Sequence, residues 1–332
     1  MLQTPGFHHI AFVSAGLQRS RIFYEDVLGL RLLLDRDRDE RLQRSPYDLL
    51  FGDAEGSPGS LIAFIEDRDA RKGHWGIGGI HHLALTVRDR DQQLRWKRWL
   101  TDHGVPVTGP YDRGYFHSIY FSDPDGHILE LATQGPGYDF DEPADALGEQ
   151  FIQPDEERLR GERDEATIRA LTHPDPVEAI DDEMRLDGIH HITGITDRLD
   201  ETHRMYTDGL GLSLVKKTVN QDDGETRHDF WARYEGTRVE PRSSITHFDW
   251  RTSQYRARPG TGQTRHIAFR SDSDDDLERW RDHLDGLGIE VGATRDHAIF
   301  RSLEFVAPDG LIHQIATPFT PPASTGPESE AS

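Results

Sequence analysis

Hydrophobic and polar positions alternate in four segments of the chain that open in the same way. They are Phe-His-His-Ile at 7–10, Ile-His-His-Leu at 80–83, Ile-His-His-Ile at 189–192 and Arg-His-Ile at 265–267. Alternation with a period of two is typical of a β-strand with one buried face. Each segment is followed by a helical stretch, and the helices are predicted over 17–28, 92–103, 200–208 and 275–287. Further strand-like runs follow each helix, so the pattern predicts a β-α-β-β-β module that occurs four times.

The spacing of these modules shows that the chain consists of two similar halves. His9 and His82 are 73 positions apart, and His191 and His266 are 75 positions apart. A Leu-Gly-Leu triplet follows the first histidine of each half, with its glycine 20 positions later. A Pro-Asp-Gly turn follows the second histidine of each half, with its glycine 44 positions later. Three matched distances are not explained by chance.

We therefore expect an α+β fold in which four βαβββ modules form two barrel-like, half-open sheets. The first half covers 1–134 and the second covers 188–318, with two modules in each. The charged segment 135–187 contains several prolines and is the predicted connector, with helical potential over 155–171. The tail 319–332 is rich in Pro, Ser and Glu and is predicted to be disordered.

The amino-acid composition excludes several kinds of functional site and partner. The 332 residues include no cysteine, which excludes disulfides, thiolate metal ligands and cysteine nucleophiles. The net charge is −22, from 60 acidic and 38 basic residues, and this argues against a nucleic-acid partner because phosphates require a basic face. The chain has no apolar run long enough to cross a bilayer and no charged-then-apolar leader, so we expect a cytoplasmic protein without a membrane partner.

Candidate chemistry lies on the strands of the second module. Alternation places His82 on one face of its strand with small and polar residues. His81 shares the opposite face with Leu83 and Leu85, and we expect that apolar face to pack beneath a helix. Glu130 lies in the middle of an otherwise apolar strand, where a carboxylate is costly to bury without a partner. A metal ion is the obvious partner. Two histidines and one carboxylate suit Fe(II), although Zn(II) and Mn(II) accept such ligands as well.

Long motifs resemble a known family. They are Arg-Gly-Tyr-Phe-His-Ser-Ile-Tyr-Phe at 113–121, Gly-His-Ile-Leu-Glu at 126–130, Gly-Pro-Gly-Tyr at 135–138, Asp-Glu-Pro at 141–143, Ile-His-His-Ile-Thr at 189–193 and Leu-Val-Lys-Lys-Thr-Val-Asn at 214–220. The four-module plan is similar to the vicinal-oxygen-chelate superfamily, which includes glyoxalase I and the extradiol dioxygenases. These motifs look most like those of its hydroquinone ring-cleaving dioxygenases, although the two halves stand in exchanged order.

The resemblance implies the metal ligands His82, Glu130 and His191. His9 has the same His-His context as His191, so the set His9, His82 and Glu130 is the alternative if the first two modules pair. The fourth module offers His266 and Gln314 at the corresponding positions. Since Gln is a weak neutral ligand, we expect no metal there.

The resemblance also implies further residues around the metal. Tyr120 would border it and hydrogen-bond a substrate oxygen, and Arg113 would hold an anionic substrate or intermediate. His81 and His190 are candidate proton shuttles or supports of the ligands. Thr193 shares a face with His191 and is expected to hydrogen-bond a ligand or oxygen.

The function expected from the family is that of a non-haem Fe(II)-dependent, extradiol-type ring-cleaving dioxygenase in aromatic compound degradation. Its partners would be O2 and a small dihydroxylated aromatic of the hydroquinone type. A glyoxalase-like lyase or isomerase is one alternative, disfavoured because the position near Thr246 that matches Glu130 carries no carboxylate. A binding protein without chemistry is the other. The sequence leaves open whether the chain forms a homo-oligomer.

The charge of the chain predicts that its stability depends on salt. The acidic, lysine-poor composition, in which only Lys72, Lys97, Lys216 and Lys217 are lysine, is similar to that of proteins from salt-accumulating halophiles. Because salt screens self-repulsion, we expect the melting temperature to rise from dilute buffer to molar KCl. Scanning calorimetry checks this, with sucrose of equal osmolality as the uncharged control. An unchanged melting temperature in KCl would contradict the prediction.

Overall fold

The computed structural model of the protein describes residues 2–39, 43 and 45–319. The first module consists of β1 Phe7–Ser14, α1 Leu17–Ile22, β2 Arg31–Asp35, β3 Leu49–Gly52 and β4 Leu61–Glu66. The second consists of β5 Gly79–Val87, α2 Arg90–Asp102, β6 Thr108–Asp112, β7 His117–Ser122 and β8 Ile128–Thr133. Of the tail predicted to be disordered, residues 320–332 lie outside the described residues.

The second half repeats this plan after the connector, whose helix is α3 Glu165–Ala170. The third module consists of β9 Ile189–Thr196, α4 Leu199–Arg204, β10 Ser213–Val219, β11 Arg227–Ala232 and β12 Ser244–Asp249. The fourth consists of β13 Thr264–Arg270, α5 Asp276–Gly286, β14 Arg295–Asp296, β15 Arg301–Val306 and β16 Ile312–Ala316. The four βαβββ modules and the α+β class are confirmed.

The Leu-Gly-Leu triplets end the helical region of the first and third modules. Helices α1 and α4 continue into π-helical turns over Phe23–Val27 and Met205–Gly209. The chain then reverses at Gly29 and Gly211, whose φ angles are +66° and +70°. Glycine adopts this left-handed backbone without the steric penalty of a Cβ atom, which explains the matched spacing.

The strands form two eight-stranded sheets. The site sheet has the order β10-β11-β12-β9-β5-β8-β7-β6, and the second sheet has the order β14-β15-β16-β13-β1-β4-β3-β2. The site sheet therefore joins the second and third modules through the antiparallel pair β5 and β9. The second sheet joins the first and fourth modules through β1 and β13. Each sheet contains one module from each half of the sequence.

A single cluster of buried apolar side chains extends through all four modules. On the site sheet it contains Leu83, Leu85 and Ile192, which lie on the strand face opposite His82. Trp96 of α2 and Trp280 of α5 are buried in the same cluster. The apolar face predicted to pack beneath the helices is thus in the core, and the opposite face is left free for polar chemistry.

The connector is attached to the site sheet by buried lysines. The ammonium group of Lys97 on α2 donates to the carbonyls of Gly109 at 2.6 Å, Ile168 at 3.2 Å, Arg169 at 3.0 Å and Leu171 at 2.6 Å. A cation at the last carbonyls of a helix is favourable because these groups carry partial negative charge. Lys97 therefore fixes the end of α3 against the second module.

Lys216 on β10 makes the matching attachment at the start of the connector. Its side chain is fully buried and forms ion pairs with Asp141 and with Glu142, the latter at 3.0 Å. The buried ammonium is thus neutralised, as burial of a charge requires. Two of the sequence motifs, Asp-Glu-Pro and Lys-Lys, meet in this contact. Among the described residues, no helix combines the length and the apolar character needed to cross a membrane.

Replacing Lys97 by Met removes the cation from four carbonyls at once. We expect the free energy of unfolding of Lys97→Met to fall by about 2–3 kcal/mol, measured by urea unfolding. Lys217→Met is the matched control, because Lys217 donates to a single carbonyl of Glu149 at an exposed position. The control should change stability by less than about 0.5 kcal/mol. Equal stability of the two variants would count against this role of Lys97.

Candidate metal centre

Strand register brings three potential ligands to one patch of the site sheet. Ala84 lies at the centre, opposite Glu130 on the parallel neighbour β8 and opposite His191 on the antiparallel neighbour β9. His82 lies two residues before Ala84, on the same face of β5. Because Ala84 has only a methyl side chain, the space above it stays open between the longer side chains. All three potential ligands are buried.

The distances between the ligand atoms fit a single metal ion. Nε2 of His82 lies 3.0 Å from Oε2 of Glu130 and 3.2 Å from Nε2 of His191, and the His191-to-Glu130 distance is 3.5 Å. A metal about 2.1 Å from each ligand separates neighbouring ligands by about 3.0 Å at octahedral angles and about 3.4 Å at tetrahedral angles. Among the described residues, His82, Glu130 and His191 form a group of three side chains that could hold a metal ion.

The Glu130 carboxylate provides the strongest indication of a metal. Its side chain is fully buried, and among the described residues neither carboxylate oxygen has a hydrogen bond of good geometry. Burial alone would raise the pKa of Glu130, but the imidazoles of His191 and His82 hold it well below the usual range. A buried, ionised carboxylate without hydrogen bonds is costly unless a cation compensates it. These residues therefore fit a divalent metal.

The paired histidines point to the same side of their strands, which strand alternation did not predict. Nδ1 of His81 lies 2.8 Å from Nδ1 of His82, and Nδ1 of His190 lies 2.8 Å from Nδ1 of His191. The expectation that His81 shares a face with Leu83 is therefore wrong. The pairing of β5 and β9 has register irregularities at both His-His steps, and such bulges turn consecutive side chains to one side.

The outer histidine of each pair fixes the ring of the inner one. Burial, with a smaller contribution from the neighbouring imidazole, lowers the pKa of His81 and of His190 to about 3. Both rings are therefore neutral at physiological pH, and each can donate or accept one hydrogen bond. A hydrogen bond at Nδ1 leaves Nε2 of His82 and of His191 directed towards the metal position, as supporting groups do in metal sites.

A row of hydroxyl groups completes this face of the sheet. The hydroxyl of Thr193 lies 2.9 Å from Nε2 of His82 and 2.9 Å from the hydroxyl of Thr246. The Thr246 hydroxyl lies in turn 2.8 Å from Nε2 of His228. Thr246 pairs with Thr193 as Glu130 pairs with Ala84, so a threonine occupies the position of the third module that corresponds to Glu130.

Tyr120 and Arg113 lie beside the carboxylate. Tyr120 on β7 is directly opposite Glu130 in the strand register. The Arg113 guanidinium donates to the Tyr120 hydroxyl at 3.2 Å and to Gln221 at 3.2 Å, and it pairs with Asp222 at 3.1 Å. Burial, partly offset by Arg113, raises the pKa of Tyr120 above its usual value, so the phenol keeps its proton.

A cavity of about 690 Å³ opens directly over these groups. His82, His191, Tyr120 and Arg113 line it, together with polar, apolar and connector residues that include His81, Tyr115, Phe116, Arg163, Val219, Asp222, His228 and Phe248. Its volume lies within the range of ordinary small-molecule sites. The candidate ligands thus face a space that a small molecule can reach, next to flat apolar walls that suit a ring.

The second sheet carries a corresponding cluster in which Gln314 stands in the place of Glu130. Nε2 of His9 lies 2.9 Å from Nε2 of His266, and the Tyr47 hydroxyl lies 3.2 Å from each. Gln314 pairs with Ala268 there as Glu130 pairs with Ala84. The alternative ligand set with His9 is therefore wrong, because β1 pairs with β13 and not with β5. The absence of a metal from this cluster stays a prediction.

Sequence reasoning missed several residues of the site. His228 and Asp222 line the cavity but lie outside the motifs that drew attention to the other residues. Arg163 reaches the cavity from the connector, and Phe116 packs its ring 5.2 Å from that of His191. Phe116 was within reach of prediction because it belongs to the Arg-Gly-Tyr-Phe motif. The others depend on contacts between distant parts of the chain.

One family model matches most of the chain. A model described as the Glyoxalase/Bleomycin resistance protein/Dioxygenase superfamily matches residues 6–131 and 188–319. The chain belongs to this superfamily, and the resemblance seen in the motifs is confirmed.

Relatives within the superfamily include two proteins of Bacillus subtilis (strain 168). The chain is 37% identical over 100 residues to "Putative ring-cleaving dioxygenase MhqA", which is 30% of this chain and 32% of MhqA. It is 39% identical over 83 residues to "Putative ring-cleaving dioxygenase MhqO", which is 25% of this chain and 27% of MhqO. The matched part thus spans about a third or less of either relative.

A solved structure shares the whole architecture. It is named as a "putative dioxygenase from Bacillus subtilis subsp. subtilis str. 168", with a TM-score of 0.69 and 22% sequence identity. The similarity covers 96% of this chain and 86% of that chain. At this level of identity the comparison shows the fold.

Exchanging the carboxylate for an amide tests the candidate centre. We expect Glu130→Gln to weaken Mn(II) or Fe(II) binding by more than about 100-fold, because it gives the site the donors of the second cluster. Anaerobic equilibrium dialysis measures this. Gln314→Ala is the matched control on the second sheet and should bind as the unchanged protein does. Metal loss in the control, or none in Glu130→Gln, would contradict the assignment.

Proposed function

We propose that the protein is a non-haem Fe(II)-dependent, extradiol-type dioxygenase that cleaves a hydroquinone-type or related dihydroxylated aromatic ring. The observation that carries this proposal is the buried Glu130 carboxylate, which lacks good hydrogen bonds and faces His82 and His191. Two histidines and one carboxylate are the set that leaves coordination positions of Fe(II) open for O2 and substrate. Mn(II) is the other metal that suits these donors. The matched segments of MhqA and MhqO support the same class of reaction.

The three proposed ligands would hold the metal, which supplies a place for O2 and a ring oxygen to meet and a route for electrons between them. The remaining work of the protein is placement. Phe116, Val219 and Phe248 offer apolar walls to the flat ring. When the substrate ring lies between such walls, water is excluded from the reacting atoms.

Tyr120 is proposed to orient the substrate. Its hydroxyl accepts a hydrogen bond from Arg113, so its own proton is free to be donated to a ring oxygen. The strand register keeps this hydroxyl on the Glu130 side of the cavity. Tyr120 would thus distinguish the two hydroxyl groups of a dihydroxylated ring, because it would donate its hydrogen bond to only one of them.

Polar groups around the ligands are proposed to handle the proton that a ring hydroxyl releases. His81 and His228 both line the cavity and are uncharged. The Thr246 and Thr193 hydroxyls extend from His228 to His82 through contacts of 2.8 to 2.9 Å. His190 contacts His191 as His81 contacts His82, but it lines a neighbouring cavity. This arrangement gives a proton leaving the ring an acceptor within the cavity.

Thr246 weighs against a glyoxalase-like metal-dependent lyase or isomerase. Such sites take a fourth protein ligand from the position that Thr246 occupies, and a neutral hydroxyl is a poor substitute for a carboxylate. A binding protein that holds an aromatic without chemistry would have no use for a buried carboxylate next to two imidazoles. Both alternatives are distinguished from the dioxygenase by oxygen consumption.

Oxygen uptake tests the proposal directly. Protein purified without oxygen in high salt and loaded with Fe(II) should consume O2 when given methylhydroquinone or chlorohydroquinone. Catechol is the comparison substrate. We expect Glu130→Ala and His191→Ala to reduce uptake to the background, because each removes one of three metal ligands. His9→Ala is the matched control, since it alters the corresponding histidine of the second sheet, and it should retain uptake.

Two results would contradict this proposal, the first its reaction and the second its set of metal ligands. The first is metal-loaded protein that consumes no O2 with any dihydroxylated ring, which would favour the lyase or the binding protein. The second is uptake that survives the loss of His191 but not the loss of His9. Mass spectrometry of the product, with ¹⁸O2 incorporated into an opened ring, separates ring cleavage from simple oxidation to a quinone.

A further inference from the structure

The connector forms one wall of the cavity that faces the candidate metal ligands. Arg160, Arg163 and Arg169 all line it from this segment. The wall is held in place at both ends. The backbone amide of Arg160 donates to the carbonyl of Gln221 at 2.8 Å, and Lys97 holds the carbonyls at the end of α3. These side chains are therefore presented to the cavity by a fixed backbone.

The cavity has an excess of positive charge in a protein whose net charge is −22. Four arginines line it, from the connector and from Arg113, against two carboxylates, Asp222 and Glu165. Asp222 is shared, since its two oxygens lie 3.1 Å from Arg113 and 2.7 Å from Arg163. Glu165 pairs with Arg163 at 2.6 Å. Both carboxylates are thus used by the same two arginines.

Arg160 and Arg169 are left without a side-chain partner among the residues that the structure describes. Within the described part of the chain, neither guanidinium makes an ion pair or a side-chain hydrogen bond, although many other arginines pair with carboxylates. Both residues are exposed, and both line the cavity. Unpaired guanidinium groups that line a cavity are suited to a carboxylate, which a guanidinium binds through two parallel hydrogen bonds.

The size of the cavity leaves room for such a group. A volume of about 690 Å³ suits a drug-sized ligand, which is larger than a single dihydroxylated ring. A ring held at His82 and His191 would fill the inner part. The outer part, between the ring and the connector, would accommodate a side arm that ends in an acid.

We propose that the substrate is an aromatic acid, a dihydroxylated ring whose side arm ends in a carboxylate that Arg160 and Arg169 bind. This inference rests on the proposed ring-cleaving function and names its substrate class. The two arginines act as specificity determinants, because they contact the arm and not the reacting atoms. A neutral hydroquinone would enter the same site without this contact.

Matched substrates test the proposal. 2,5-Dihydroxyphenylacetate carries the acid, and 2,5-dihydroxyphenylacetamide is its neutral counterpart of nearly equal shape. We expect kcat/KM to favour the acid, and the double variant Arg160→Gln with Arg169→Gln to lower that preference by about tenfold, chiefly through the KM of the acid. Arg185→Gln is the control, since Arg185 is an exposed connector arginine away from the cavity, paired with Asp182. The control should keep the preference.

Binding without turnover separates this proposal from the proposed function. The Kd of the acid for the metal-free protein, from tryptophan fluorescence, should rise by about tenfold in the double variant and stay unchanged in Arg185→Gln. If no ring is turned over but this binding pattern holds, the anion site stands and the dioxygenase proposal fails. If hydroquinones are turned over but the acid and the amide are equivalent in every variant, the anion site is overturned.

Discussion

The antiparallel pairing of β5 with β9 is the constraint on which the site depends. It joins two modules that lie in different halves of the sequence and puts Ala84 between Glu130 and His191. Because side chains alternate along a strand, a slip of one residue would turn one set of ligands into the core. The bulges at the His-His steps fix this register, and they also bring the supporting rings of His81 and His190 to the ligand side.

The contrast between the two sheets shows how little separates a candidate metal centre from a closed polar core. Both sheets bring two imidazoles to within 3.2 Å of each other at a matched position. On the site sheet a carboxylate faces the imidazoles and a cavity opens above them. On the second sheet Gln314 takes the place of the carboxylate, and Tyr47 and Phe300 pack directly against the histidines. The shared backbone supplies the geometry, and individual side chains decide its use.

Features that depend on residues close together in the sequence could be predicted, and features that depend on contacts between distant segments could not. Local spacing predicted the modules, the helices and the positions of His82 and Glu130, since strand periodicity is a local property. The family resemblance pointed to His191, and the register places it beside the other two. Bulged histidine pairs could not be predicted, because a bulge depends on the partner strand. The arginine wall was equally out of reach, since Arg163 meets Asp222 only after the connector folds across the sheet.

The second and third modules, which form the site sheet, lie in the sequence between the first and fourth modules, which form the second sheet. The strands of the site sheet are therefore all synthesised before those of the second sheet are complete. All strands of the site sheet have left the ribosome once Asp249 has emerged, whereas β1 must wait for its partner β13, Thr264–Arg270, which is synthesised later. In that interval the nascent protein carries an open strand edge on β1, of the kind that pairs with other chains. Because the strands of the site sheet lie between those of the second sheet in the sequence, the second sheet is the last to be completed, and β1 keeps an unpaired edge until then.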